Sequence, residues 1–404
     1  MEVLEATAPP KVSAVSPQRR RFNSIDLLRG LVMIIMALDH TRDFFHAEAF
    51  TDDPLNLQTT SPWLYATRWI THFCAPVFVF LAGTSAWFQH SRKTTAELSR
   101  FLVTRGLWLI VVETIIMSFA FTFDPGFHNI FFQTIWAIGI SMVLLGVAIW
   151  MPFPAILAAG LVIFLGHNLL DYYEAGLAAS PGFFYDMLHR GGSATLWNGH
   201  TLHIFYPFLP WTGLMLLGYC FGSVYMNRQE SSRLKFLMVT GAVLILFFVV
   251  LRAVNGYGDP RQWTVQKDTL YTFFSFMNVT KYPPSLLYIS VTIGPALFFL
   301  AWADKARGKL ADIITVFGRV PFFYYILHFY VLHLLCMVLF LARGHSFSEG
   351  INTPAPFRFL IPGEGYPLWM VYVIWIAVVA TLYPLCSWYS RYKQRSTKWW
   401  VSYL

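Results

Sequence analysis

Along this chain the apolar residues do not recur on one helical face or alternate strand-fashion; they run on. Ten stretches, roughly 23–44, 67–89, 101–121, 130–150, 154–170, 207–226, 233–252, 284–303, 320–342 and 367–389, are mainly apolar and are separated by polar pieces. Each comes close to the ~20 residues that a helix needs to cross a bilayer. The pattern predicts an all-α, polytopic integral membrane protein of about ten transmembrane helices. The fifth stretch is short and follows a tight Pro-bounded turn at Met151–Phe153, and Pro76 predicts a kink or a broken helix in the second. A polar tail over 1–21, expected to be disordered, precedes one membrane domain over 22–392 and a tail over 393–404.

Composition agrees with that pattern. Of 404 residues 56% are hydrophobic and only 12% are charged, about half the usual charged share of a soluble domain. This excludes a soluble enzyme, a disordered chain and a nucleic-acid binder. The net charge of +8 has a topological source. With the N-terminus in the cytoplasm and strict alternation, the inner pieces hold 19 Lys and Arg, among them Arg92, Lys93 and Arg100, and the outer pieces hold nine. That asymmetry predicts ten spans with both termini cytoplasmic. The basic cluster Arg19–Arg21 abuts an apolar run without a small-residue cleavage site, so it reads as the start of a membrane domain and not as a signal peptide. The outer loops 171–206, 253–283 and 343–366 are long and rich in Trp, Tyr, His and Gly, as expected of a covering over an outward-opening site.

The first stretch carries the chemistry. It contains Asp26, Arg29, Met33, Met36, Asp39, His40, Asp43 and, just beyond, His46. Ionisable groups within a membrane helix are costly and usually line a cavity. Arg29 and His40 are eleven residues apart, which on a helix is within about 20° of the same face and about 16 Å along the axis. Met33, Met36 and Asp43 share that face. One stripe therefore bears a cation at its inner end, a soft apolar middle and a carboxylate–imidazole group at its outer end. An imidazole beside a carboxylate serves as general base toward a hydroxyl or amine, and a buried Arg holds a phosphate or carbonyl. A long, thin acyl donor such as acyl-CoA, entering from the cytoplasm, would meet an acceptor from outside near the His. A snorkelling Arg29 paired with Asp26, and a merely wet outer helix end, are the plainer explanations of the same residues.

The pattern Ser24-Ile-Asp-Leu-Leu-Arg29-Gly-x-x-Met33, followed by Ala75-Pro-Val-Phe-Val-Phe-Leu-Ala-Gly-Thr-Ser85, resembles the catalytic domain of the heparan-alpha-glucosaminide N-acetyltransferases, and most of all its bacterial relatives. Lys281-Tyr-Pro-Pro-Ser285 and Phe317-Gly-Arg-Val-Pro-Phe-Phe-Tyr-Tyr-Ile-Leu-His328 are similar to those relatives too. The Arg29–His40 spacing also resembles the wider group of transmembrane acyltransferases that modify surface glycans. The resemblance implies an acyl-CoA-dependent transferase that acetylates an amino or hydroxyl group of an extracytoplasmic sugar or glycan, with acetyl-CoA as co-substrate and no tightly bound cofactor. In the lysosomal enzyme Asn stands at the position of His40, and the catalytic His lies in the following loop. Either His40 or His46 would then be the base here, with Asp39 or Asp43 orienting it and Arg29, with Asp26, holding the donor. The large luminal segment of the lysosomal enzyme has no counterpart, which points away from heparan sulfate and toward a bacterial inner membrane.

Other residues are weighed beside these. Arg105 and Trp108 would cradle CoA phosphates at the inner surface with Arg92, Lys93 and Arg100, or simply obey the positive-inside pattern. Lys281 and Tyr282 would contact the acceptor or the thioester, or anchor a helix at the interface. Arg319 and His328 flank Pro321; His328 and His333 lie about 140° apart round the helix and do not easily face one cavity, and His328, which lies in the stretch that carries the resemblance, is the expected site residue. Glu113 falls mid-membrane, about 80° from Arg105. His200 and His203 lack a third ligand at diagnostic spacing, so no metal is expected. Cys74, Cys220, Cys336 and Cys386 sit in apolar runs with no disulfide or ligand spacing. Gly218 and Gly222 form a small-residue packing face. A homo-oligomer is left open. The same buried Asp, His and Arg would also suit a secondary transporter or lipid flippase, as a proton relay.

Overall fold

The computed structural model describes residues 22–90 and 92–402, so the expected N-terminal tail over 1–21 lies outside the described residues. The fold is mostly helical: α1 (Asn23–Phe45), α2 (Pro62–Ile70), α3 (Cys74–His90), α4 (Thr95–Val111), α5 (Ser118–Thr122), α6 (Thr134–Ala148), α7 (Phe153–Gly166), α8 (Leu169–Ala175) and α9 (Phe183–Tyr185) make the first half. They are followed by α10 (Phe208–Asn227), α11 (Glu230–Val254), α12 (Thr269–Met277), α13 (Leu286–Ala303), α14 (Lys309–Arg319), α15 (Pro321–Ala342), α16 (Phe347–Ile351) and α17 (Leu368–Arg395).

Three findings bear on the sequence expectation. First, the fold is not purely α. Strands β1 (Asn129–Phe132), β2 (Gly192–Thr195) and β3 (Thr201–Ile204) form a small sheet in the order β1-β3-β2, with β1 parallel and β2 antiparallel to β3. The apolar run at 130–150 therefore opens as a strand and becomes helical only at Thr134, because a short apolar run does not by itself distinguish a buried strand from a helix. Second, seven helices are long and apolar enough to cross a membrane, and eight if α7 and α8, bent by 41°, count as one span. α6 is apolar but short, and α1 is diluted by Asp26, Arg29, Asp39, Arg42 and Asp43. Third, the second stretch is broken, as Pro76 suggested, but the break is a 3-10 turn at Thr71–Phe73, ahead of the proline.

α1 lies at the centre, packed against α3, α13, α14, α15 and α17. Its approach to α14 is set by two glycines: a Cβ on Gly318 would overlap the Asp26 carbonyl oxygen, and one on Gly30 would overlap that of Ile314. Backbones in such contact are how helices pack where no water drives them together. The small-residue face of α10 works likewise, Gly218 lying on the backbone of Phe80 in α3 and Gly222 on Trp87 and Thr84. The four cysteines are free and buried.

Candidate functional site

Both ends of α1 wall a cavity. At its N-terminal end a cavity of about 300 Å³ is lined by Asp26, Arg29, Ser85, Arg92, Arg319 and Lys393, among others. Arg29 Nη2 donates to Ser85 Oγ (2.9 Å), and Nη1 donates to the Gly318 carbonyl and to Asp26 (both 3.3 Å). The Gly318 contact that brings α14 onto α1 thus also delivers the next residue, Arg319, to this cavity; its Nε is buried with no hydrogen-bond partner among the described residues. Arg319 was expected beside His328 and Lys281, and the structure parts it from them. Arg105 and Trp108 on α4 do not line this cavity: Arg105 lies over the Phe101 ring, and Trp108 is exposed.

At the C-terminal end of α1 a chamber of about 140 Å³ gathers Asp39, His40, Asp43, Arg68, Lys281 and Tyr282. Tyr206, Lys281, Tyr282 and Phe357 reach it from the long loops expected to cover a site. Arg68 Nη1 lies 2.5 Å from Asp39 Oδ2. Arg42 Nη2 lies 3.0 Å from Asp39 Oδ1 and 2.6 Å from Asp43 Oδ1. The four side chains make an alternating chain of charge beside His40. Asp39 is therefore committed to two arginines, and Asp43 is the carboxylate near the imidazole, with Oδ2 3.9 Å from His40 Nδ1. That separation is longer than a hydrogen bond.

Lys281 and Tyr282 are held by a loop that Asp259 organises. Its carboxylate accepts from the Thr280 amide (2.8 Å), the Thr280 hydroxyl (2.9 Å) and Ser285 Oγ (2.6 Å). Ser285 in turn caps α13 by accepting from the Tyr288 amide (2.9 Å). Burial opposes ionisation of Tyr282, but Lys281 and Arg68 outweigh it and hold the phenol below its ordinary range.

His46 does not line the chamber. It borders an adjoining cavity, and its Nδ1 accepts from the Glu48 amide (3.3 Å). His328 stands behind His40, ring centroids 5.4 Å apart. Its Nδ1 lies 3.0 Å from the Tyr324 carbonyl and must donate, which leaves Nε2 as an acceptor with no partner among the described residues. His333 faces elsewhere, between the carbonyls of Ala120 (2.8 Å) and Arg358 (3.0 Å). Glu113 is unrelated to Arg105: in a π-helical turn, it accepts from the Trp136 amide (3.0 Å) at the start of α6, where a carboxylate meets unpaired amides. His203 bonds Ser193 (2.9 Å) and Asn129 (2.8 Å), and His200 lies between two carbonyls. Ligand atoms of Asp171, Glu174 and His189 do lie within 4.8 Å of one another, but His189 Nδ1 is already bonded to Glu174 (2.7 Å).

The sequence reading missed Arg68 and Arg42, which it counted only as flanking charges, and Thr71, Gln133, Thr134 and Tyr206 in the chamber wall. Arg42 lies on α1 itself, three residues after Asp39, a spacing that could have marked it; no local signal marks the others, which reach the chamber through tertiary contact. A family model described as heparan-alpha-glucosaminide N-acetyltransferase, catalytic, matches residues 21–252, which is more than half of the chain and includes Asp26, Arg29, Asp39, His40, Asp43 and Arg68. The chain belongs to this family. No curated protein matches it. The family is that of a membrane N-acetyltransferase, in keeping with the apolar helices of an integral membrane protein. Lys281, Tyr282, Arg319 and His328 lie beyond the matched residues and enter the two cavities through the fold alone or, for His328, pack behind one.

Proposed function

We propose that this N-acetyltransferase family member takes its acetyl or short acyl group from cytoplasmic acyl-CoA and delivers it to an amino or hydroxyl group of a sugar on the far side of a bacterial inner membrane. The observation that carries the reading is that residues of one helix face line a cavity at each end of α1, Arg29 a cation-rich one and His40 an imidazole–carboxylate one. With α1, α6 and the bent α7–α8 pair counted as crossings beside the seven long apolar helices, there would be ten, which would put both termini on one side, and the basic residues favour the cytoplasm. On that topology Arg29, Arg319, Arg92 and Lys393 would meet the phosphates of CoA, and the pantetheine arm would run along the Met33–Met36 face.

At the chamber His40 takes the proton from the acceptor N–H or O–H. The new C–N or C–O bond forms as the thioester C–S bond breaks, and the proton passes to the departing CoA thiolate. Lys281, Tyr282 and Arg68 supply positive charge and a hydroxyl donor where the thioester oxygen gains negative charge. Asp43 steadies the imidazolium formed in the step.

The test uses purified protein with radiolabelled acetyl-CoA, comparing wild type with His40→Ala and Arg29→Ala. Acetyl-CoA turnover in wild type and its loss in both variants is the expected result. A folded protein that neither binds nor turns over acetyl-CoA would falsify the reading and return the buried Asp, His and Arg to the transporter alternative.

A further inference from the structure

Two parallel strands run out at the chamber. β1 and β3 pair as far as Phe132 and Ile204. The residues just beyond them, Gln133 and Thr134 after β1 and Tyr206 after β3, line the chamber wall. The two exits are tied together, because the Phe132 carbonyl accepts from the amides of Phe205 (3.1 Å) and Tyr206 (3.2 Å). A π-helical turn at Val112–Met117 anchors the β1 side. Its Glu113 accepts from the Trp136 amide (3.0 Å), and Ser118, just after the turn, accepts at Oγ from the Phe131 amide (3.1 Å). Glu113 is wholly buried, and only such hydrogen bonds offset the desolvation of a carboxylate there.

On that footing the Tyr206 ring is clamped. It stacks on the buried Trp211 (centroids 5.2 Å apart, 28°) and meets Tyr282 edge-on (5.3 Å, 74°). A phenylalanine would make both contacts. The hydroxyl adds a polar group to a buried side chain, which is unfavourable unless it finds a partner. The hydroxyls that act on it, those of Thr134 and Tyr282, belong to the chamber wall themselves. The two phenols are set apart in acidity. At Tyr282 burial is outweighed by Lys281 and Arg68, whereas burial and the phenols of Tyr282 and Tyr288 hold Tyr206 well above its ordinary range. Tyr206 therefore stays a neutral hydroxyl donor at the edge of the chamber that His40 also lines.

We propose that Tyr206 is a further catalytic residue of the acyl transfer, its hydroxyl donating beside that of Tyr282 to the thioester oxygen as the acceptor attacks the carbonyl carbon. The inference rests on the acyl-transfer reading and deepens it. Negative charge gathers on that oxygen as the new bond forms and returns to the carbonyl as the C–S bond breaks. Tyr206 stabilises the charge in passing and gives up no proton. A donor fixed before the reaction is effective because nothing need reorganise when the charge appears. The small sheet thereby has a role in a helical protein: its two parallel strands bring Tyr206 to the outer end of α1 at a fixed height.

Purified full-length protein is given acetyl-CoA with glucosamine, and release of the CoA thiol is followed for wild type, Tyr206→Phe, Tyr282→Phe and the double variant. Loss of one oxyanion donor costs about 10²–10³-fold in kcat elsewhere. With Tyr282, Lys281 and Arg68 still in place, Tyr206→Phe is expected to lower kcat by about tenfold or more. The KM for acetyl-CoA should change by less than about threefold, because the interaction forms only in the transition state. The thermal transition should hold, since both ring contacts survive. The double variant should fall about tenfold or more below Tyr282→Phe. Wild-type kcat in Tyr206→Phe overturns the proposal and leaves the ring as packing. A double variant no slower than Tyr282→Phe also overturns it, making Tyr206 a support for Tyr282 and not a donor. Should Tyr206→Phe lose its fold, fluorotyrosine at position 206 keeps the ring and makes the hydroxyl more acidic, and a kcat indifferent to it overturns the proposal. Wild type that releases no CoA thiol overturns the acyl-transfer reading itself, and the role of Tyr206 with it.

Discussion

Asp39 Oδ2 lies 2.5 Å from Arg68 Nη1, joining α1 to α2 across 29 positions of sequence. The carboxylate next to His40 in the chain is thereby spent on holding two helices together, and orientation of the imidazole falls to Asp43, one turn further on. Breaking one side of a buried ion pair leaves the other charge uncompensated, which costs about 3–5 kcal/mol. Asp39→Asn should therefore lower the thermal transition of the purified protein, and Asp39→Asn with Arg68→Gln should recover part of the loss. A double variant no more stable than the single one would show that the pair does not act as a unit.

Removal of the base should separate the two histidines that the sequence left as alternatives. General-base catalysis contributes about 10²–10⁴-fold, so His40→Ala should lower kcat for acetyl transfer by at least 100-fold. His46 faces the adjoining cavity, and His46→Ala should change kcat by less than tenfold. The reverse ranking would move the base into the loop.

Arg319 reaches the N-terminal cavity only because Gly318 lets α14 lie against α1. If that cavity holds CoA phosphates, Arg319→Gln should raise the KM for acetyl-CoA by about tenfold, the loss of one charge-assisted contact, with kcat far less affected. A change confined to kcat would place Arg319 outside donor binding. Trp108→Ala, on an exposed face of α4 away from the cavity, should leave the KM for acetyl-CoA where it is.

The loop that carries Phe357 to the chamber is strapped down by Arg358, which donates to Asp124 (2.8 Å) and to the Phe123 carbonyl (3.1 Å). Burial works against the Asp124 charge, but His128, the Gly126 amide and Arg358 outweigh it and hold the carboxyl below its usual value. Since the folded value lies below the unfolded one of about 3.9, the strap contributes fully above that pH and is lost as pH falls through the depressed value. Protection factors at 353–361, which divide out the intrinsic pH dependence of amide exchange, should be high at pH 6 and fall as the pH drops through that depressed value, and Asp124→Asn should make them low at both. A wild-type protection factor that stays unchanged across that range would show that Asp124 does not secure the loop.

Much of this protein was legible in its sequence. Uninterrupted apolar runs imply membrane helices, because lipid leaves the backbone no partner but itself. The stripe from Arg29 to His40 was legible too, since helical geometry alone fixes which residues of one helix share a face. Motifs in the first third of the chain sufficed to name the family.

Only the tertiary structure decided the rest. That α1 is a central, heavily packed helix and not a lipid-facing one follows from neighbours the sequence does not order. The parting of Arg319 from Lys281, the pairing of Arg68 with Asp39 and the choice of His40 over His46 for the chamber depend on which segments touch, and the place of Arg319 depends on Gly30 and Gly318 as much as on its charge. Periodicity determines a residue's direction within its own helix. What it meets there is set by packing between segments far apart in the chain, where a cavity wall is assembled from side chains with no local signature.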